Sequence, residues 1–176
     1  MITGSVVLII KEAKMLVIVE GNEGTGKTTL INQLAETIPF VYVKYPKEVK
    51  NTYQMLNNFT KDKILYVLDR SFISDIVYRR LDHKRGQMTL FQIGTLCGSP
   101  SGIKIIFCHN KDAFKNAMKR GETNITVDSV HKLLENEFYS VKEMLKNFTD
   151  IEIFDYDYEY QSVDDVVEFI RGKQVG

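Results

Sequence analysis

The chain has 176 residues, 44% of them apolar and 26% charged, with 23 Lys and Arg against 23 Asp and Glu for a net charge of zero. At about 150 residues per domain this is one globular domain, and the composition excludes a disordered, collagen-like or low-complexity chain. The charge balance speaks against a generally basic nucleic-acid binder while leaving room for one local basic patch.

Residues 1–14 come first and fit least well. Ser5 to Ile10 reads as a strand, either an added edge strand or part of an extension upstream of a natural start at Met15. Neither this segment nor Met15 to Val19 holds an apolar run near the ~20 residues needed to cross a bilayer, and no basic segment with a long apolar stretch marks a signal peptide. No membrane partner is expected, and the cytoplasm is the expected compartment. Cys97 and Cys108 with His83, His109 and His131 have no zinc spacing and read as buried reduced thiols and ordinary histidines.

Met15 to Val19 is a buried strand that ends in a Gly-rich loop, and Thr28 to Thr37 follows as a helix with Leu30, Ile31 and Leu34 on its apolar face. Further strands are predicted at Phe40 to Tyr45, Ile64 to Leu68, Ile103 to Cys108 and Ile151 to Phe154. Val127 to Phe148 reads as a helix whose stripe is Val130, Leu133, Leu134, Phe138, Val141, Leu145 and Phe148. Ser162 caps the last helix, with Asp165 three positions on and Val163, Val166, Val167 and Ile170 as its buried side. Strands alternating with helices call for a three-layer α/β/α sandwich around a central parallel sheet, a single domain over residues 15–176.

Gly21, Asn22, Glu23, Gly24, Thr25, Gly26, Lys27 and Thr28 fit G-x-x-x-x-G-K-[ST], with Thr29 next. In such a P-loop, glycines allow positive φ and close backbone approach, so that main-chain N–H groups and the following helix N-terminus surround a nucleotide's phosphates. Lys27 would reach the β- and γ-phosphates, and the Thr28 hydroxyl would bind Mg²⁺, which makes ATP and Mg²⁺ the expected cofactors.

Beyond the loop, the segment from Val19 to Thr29 resembles the thymidylate kinase and deoxynucleoside kinase branch of the P-loop kinases. Leu68-Asp69-Arg70-Ser71-Phe72-Ile73-Ser74-Asp75 is similar to that branch's D-R-[YHS]-x-x-S segment, and Ala117-Met118-Lys119-Arg120-Gly121-Glu122 to the K-R-G-E that opens its mobile lid. Phe154 to Val166 is similar to the loop and last helix that hold the ATP base. The resemblance implies a lid near residues 119–126, Asp69 holding Mg²⁺ through water, Arg70 bridging the donor and acceptor phosphates, and Arg120 closing on the transferring phosphoryl. Together with Lys27 these form the expected catalytic set.

Two departures limit what the resemblance carries over. The family's lid continues with D-R, where this chain has Thr123-Asn124, so one lid arginine is missing. Only about two dozen residues separate Pro46 from Asp69, where the family usually inserts a long helix that reads thymine, so thymine recognition passes to no residue here. Tyr53 and Phe59 are the aromatics left in that segment ahead of the Ile64 to Leu68 strand.

A phosphate acceptor wants cations and a hydroxyl acceptor wants a carboxylate base. Lys44, Lys47 and Arg79 favour the first, Glu48 keeps the second open, and the cluster of Arg79, Arg80, Lys84 and Arg85 would serve an acceptor phosphate or a nucleic-acid backbone. The expected activity is transfer of the ATP γ-phosphoryl to dTMP or a related deoxynucleotide. The alternatives are a deoxynucleoside kinase and a kinase for 5-hydroxymethyluracil within DNA, as some viral members of the family are, which would work in a host's cytoplasm. A nucleotide-binding switch without transfer is the remaining reading. The oligomeric state stays open, a homodimer included.

Overall fold

A computed structural model describes residues 15–46, 51–84, 87–98, 102–121, 127–148 and 150–172. Both readings of residues 1–14 therefore lie outside the described residues, as do Lys47, Glu48, Arg85 and lid residues 122–126. The chain runs β1 (Met15–Glu20), α1 (Lys27–Thr37), β2 (Val41–Lys44), α2 (Thr52–Phe59), β3 (Leu65–Asp69), α3 (Phe72–Leu81), α4 (Leu90–Cys97), β4 (Ile103–Cys108), α5 (Ala113–Arg120), α6 (Asp128–Leu145), β5 (Ile151–Tyr156) and α7 (Val163–Arg171).

The five strands form one sheet in the order β2-β3-β1-β4-β5, every neighbouring pair parallel. Parallel strands need crossovers, and the crossover helices cover both faces, so the central strands are apolar throughout rather than alternating. Successive side chains then feed two cores. Leu16, Ile18, Leu68, Ile103 and Ile105 pack toward α2, α3, α4 and α6, while Val17, Val19, Val67, Ile106 and Cys108 pack toward α1 and α7. This is the expected three-layer α/β/α sandwich. Cys97 and Cys108 are free and buried, and no described helix is long and apolar enough to cross a membrane.

The differences from the sequence reading have local causes. Val130 and Leu133 are 40% and 54% exposed, not part of the buried stripe of α6. The stripe is His131, Leu134, Phe138, Val141 and Leu145, whose spacing of three and four holds one helical face, whereas Val130 and Leu133 sit about 100° off it. β5 runs on past Phe154 because Asp155 and Tyr156 pair with Phe107 and Cys108. Lys119 and Arg120, expected to open the lid, are the last turn of α5, which stops at Gly121 with φ 61°. Phe59 stacks on Tyr66, with ring centroids 4.5 Å apart, and Tyr53 also packs against the core. Both serve packing.

Candidate active site

Because β1 and β3 run in register, Val19 beside Asp69, the loops after both strands emerge at the same C-terminal edge, where open α/β sheets bind ligands. The loop after β1 is the P-loop. Its glycines are required by contact as well as by φ: a Cβ on Gly21 would run into the carbonyl of Cys108, and one on Gly24 into the carbonyl of Ala113. The loop is thereby seated on the end of β4 and the start of α5.

Lys27 is buried in the loop's own backbone. Its Nζ donates to the carbonyls of Gly21 at 2.8 Å and Asn22 at 2.5 Å. Burial, reinforced by the Arg70 guanidinium, lowers its pKa to about 8.

The loop after β3 carries Arg70 at φ 70°, a left-handed conformation that a non-glycine residue adopts only when held. Arg70 N donates to the Val19 carbonyl at 3.0 Å, and the residues after it are tied to Glu20, the last residue of β1 and fully buried. Glu20 accepts from Ser71 Oγ at 2.8 Å, from Ser74 N at 3.2 Å and from Ser74 Oγ at 2.7 Å. Ser74 Oγ in turn accepts from Arg70 Nη1 at 3.2 Å, and the same nitrogen donates to Tyr78 Oη at 3.3 Å. Desolvation raises the pKa of Glu20, opposed by Arg70 and these hydrogen bonds. The arginine is thus aimed by a relay from Glu20 through Ser74.

Three of the cavities along this edge adjoin one another through shared residues. A cavity of about 300 Å³ lies between Gly24, Gly26, Thr29, Asn116, Lys119, Arg120 and Tyr158, and Asn116 Nδ2 donates to Tyr158 Oη at 3.0 Å across it. A central one of about 200 Å³ is lined by Glu23, Gly24, Gly26, Lys27, Thr28, Lys44, Tyr45, Asp69, Arg70 and Arg120. The third, about 530 Å³, is lined by Glu23, Tyr45, Pro46, Arg70, Ser74, Asp75, Tyr78, Arg79, Asp82 and Lys84. Arg120 is common to the first two, and Glu23 and Arg70 to the last two. One Glu23 carboxylate oxygen, Oε2, is buried with no hydrogen-bond partner among the described residues. On one side of the third cavity, Arg79 Nε meets Asp75 Oδ1 at 2.6 Å, and Asp75 Oδ2 accepts from Gln87 N at 2.8 Å.

Most expected site residues therefore converge: Gly24, Gly26, Lys27, Thr28, Thr29, Asp69, Arg70 and Arg120 line the first two cavities. Lys44, expected at the acceptor, lines the central cavity instead, and Arg79 lines the third. The side chains of Asn22 and Thr25 turn inward: Asn22 Nδ2 donates to the His131 carbonyl at 3.2 Å, and Thr25 Oγ1 to the Asn22 carbonyl at 2.8 Å. Among the described residues no group of three or more His, Cys, Asp or Glu could hold a metal. The Thr28 hydroxyl and the Asp69 carboxylate, hard oxygens on the central cavity, do fit Mg²⁺, which takes few protein ligands and completes its shell with phosphates and water. Asp69 Oδ2 accepts from Tyr42 Oη at 3.1 Å.

The sequence reading missed Tyr78, Asn116 and His131 as parts of the site, and it gave no individual role to Glu20, Ser74 or Tyr158, although each lies in a segment that carries the resemblance. Glu20 carried a local signal of its own, a carboxylate ending an otherwise apolar strand.

No family model matches the chain. Over 70 residues it is 36% identical to an adenylate kinase isoenzyme 6 homolog of Caenorhabditis elegans, a match that takes in 40% of this chain and 38% of that protein. Among solved structures, the YorR protein of Bacillus subtilis in complex with phosphorylated GDP superposes at a TM-score of 0.66 with 16% identity, covering 88% of this chain and 92% of that one. A deoxyadenosine kinase of M. mycoides with the products dCMP and dCDP superposes at 0.56 with 17% identity, covering 90% and 98%. The chain has the α/β fold of these two structures.

Proposed function

We propose that the chain is an ATP-dependent kinase that moves the γ-phosphoryl of ATP to a deoxynucleoside monophosphate, dTMP being the first acceptor expected. The observation that carries this reading is the junction of the central and third cavities, where Arg70 stands with a Glu23 oxygen that has no partner among the described residues. A guanidinium shared by two cavities suits two phosphates that must meet, and a buried acceptor oxygen suits a hydroxyl donor such as that of a deoxyribose.

In this mechanism the ATP base lies by Asn116 and Tyr158 and the phosphates curl around the P-loop. Lys27 exchanges its hold on the Gly21 and Asn22 carbonyls for the phosphate oxygens. A phosphate oxygen of the acceptor attacks the γ-phosphorus as the bond to the β-bridging oxygen breaks, leaving ADP and a nucleoside diphosphate. Arg70 and Arg120 face the charge that spreads over the transferring group. Thr28 and Asp69 would hold Mg²⁺, which would supply positive charge to offset that of the phosphates.

A second reading is favoured by Glu23 itself: the same carboxylate could accept the proton of a deoxynucleoside hydroxyl, which would make the acceptor a nucleoside. Radiolabelled ATP offered with the four dNMPs, the deoxynucleosides and 5-hydroxymethyluracil DNA separates the readings. Label in a dNDP is expected. Label only in a dNMP supports the nucleoside reading, label only in DNA the polymer reading, and no transfer at all removes the kinase assignment.

A further inference from the structure

A further cavity, of about 650 Å³, opens between the ends of β4 and β5 and the middle turns of α6. Gly21, Asn22 and Thr25 of the P-loop line one part of it, yet it shares no lining residue with the three cavities of the proposed active site. Its volume is that of a small-molecule site. Phe107 from β4 and Phe138 from α6, both buried, make its apolar part. Tyr139 and Tyr160 line it too and are 61% and 76% exposed, so both rings have open surface to offer a planar ligand.

The polar lining decides which charge an occupant can carry. Lys142 Nζ is held by Asp155 Oδ1 at 2.8 Å and Lys111 Nζ by Glu159 Oε2 at 2.9 Å. A phosphate would have to break one of these pairs, and it would then face the carboxylates of Glu135 and Asp157 in the same lining. Asp157 is 6% exposed. Its Oδ1 accepts from Asn110 Nδ2 at 3.2 Å and from Glu159 N at 3.0 Å. Its Oδ2 makes no hydrogen bond among the described residues and stands 3.7 Å from His109 Nδ1. A buried carboxylate oxygen with spare capacity calls for an N–H donor.

We propose that this cavity is a second ligand site, for an uncharged planar heterocycle that carries an amino group, the class to which adenosine and cytidine belong, and that a phosphate on the ligand weakens binding there. The amino group donates to Asp157 Oδ2, and the ring takes its apolar contacts from Phe107, Phe138 and the two tyrosines. Thymidine is disfavoured, because its base offers one N–H between two carbonyls, and those carbonyls would meet a lining rich in carboxylates. The site uses no group of the proposed transfer and so stands apart from the kinase reading.

The test is a titration of the full chain with adenosine, cytidine, thymidine and AMP, followed by ¹H–¹⁵N NMR. Adenosine and cytidine are expected to move the amide signals of Asn110, Tyr139 and Asp157, with thymidine and AMP binding there at least about fivefold more weakly. Asp157→Asn keeps an acceptor for Asn110 and for Glu159 N but puts an amide in place of the spare oxygen. It is expected to lower the adenosine affinity of this site about tenfold, as one charge-assisted hydrogen bond implies. Tyr139→Ala, an exposed change to a strong helix former on α6, is expected to lower it about threefold, and it keeps the question open to measurement should Asp157→Asn unsettle its loop. Adenosine that moves signals around Arg70 or Asn116 and none here would overturn the proposal while leaving the kinase reading intact. An affinity unchanged in both variants, or AMP binding here as tightly as adenosine, would overturn it as well. Failure of all phosphoryl transfer removes the kinase assignment without touching this site.

Discussion

A lysine whose ammonium is wrapped by the carbonyls of its own loop gives up part of its affinity for a proton, because backbone dipoles replace only part of the water lost. With its pKa lowered to about 8, Lys27 carries full charge below that pH and loses it above, and only the charged form attracts phosphate. MgATP affinity is therefore expected to fall as pH rises past about 8, a decline that titration calorimetry should find absent in Lys27→Ala. The same substitution should cut transfer by about a hundredfold or more while leaving circular dichroism unchanged, since Lys27 serves no core. Arg70 depends on its neighbours in another way. Ser74 Oγ accepts from the arginine and donates its own O–H to Glu20, so Ser74→Ala removes the link between them. We expect kcat to drop about tenfold with little change in the KM for ATP, and Ser74→Thr, which restores the hydroxyl, to recover most of the loss. A kcat equal to that of wild type in Ser74→Ala would show that Arg70 is aimed without the relay.

At the scale of elements, what could be read from sequence is what local physics determines alone. The cap of α7 is one such case: Ser162 Oγ accepts from Asp165 N at 3.3 Å and Asp165 Oδ2 accepts from Ser162 N at 2.7 Å, as the S-x-x-D spacing predicts. Ser162→Ala should cost about 1 kcal/mol, lowering the melting temperature by about 2–4 °C without altering MgATP affinity; an unchanged melting curve would mean the cap contributes nothing. β1 and β4 were legible for a similar reason, since an apolar run closed by Gly or a polar turn admits few other structures. The short helices α2 and α4 were not, because two or three buried residues, Thr52 and Leu56 in one and Ile93, Leu96 and Cys97 in the other, make a weak periodic signal over eight positions. The site divides along the same line. The P-loop is contiguous, so its pattern announced it, whereas Glu20 meets Ser74 across 54 positions and Glu23 meets His131 across 108. Such pairs exist only once parallel strands have brought distant loops to one edge, and no spacing rule encodes them.

For the whole molecule the question is what the basic cluster near the end of α3 can attract. Net charge is zero, and the described members of the cluster are paired locally: Arg79 with Asp75, Arg80 with Glu137 at 3.5 Å and Lys84 with Asp82 at 3.2 Å. Exposed pairs of this kind add little stability, but they cancel the field that would steer a polyanion at a distance. A small acceptor entering the third cavity needs no such field; it needs cations at contact, and only some of the cluster provides them. Arg79 lines that cavity, while Arg80 lies outside it, on the surface against α6. Two adjacent arginines should therefore behave differently. Arg79→Ala should raise the KM for the dNMP about tenfold or more, because a charged contact is lost and Asp75 is left without its ion pair. Arg80→Gln should leave that KM within about twofold, because an exposed pair outside the cavity contributes little. A DNA-phosphorylating enzyme would show the reverse emphasis: every cation touching the backbone would count, and losing Arg80 would weaken binding across all sequences and reduce the salt slope by about one. Steady-state kinetics of both variants with dTMP, set beside a salt titration of duplex binding, measure the two possibilities directly. Equal losses from Arg79→Ala and Arg80→Gln on DNA, with no effect of either on dTMP, would move the acceptor from the free nucleotide to the polymer.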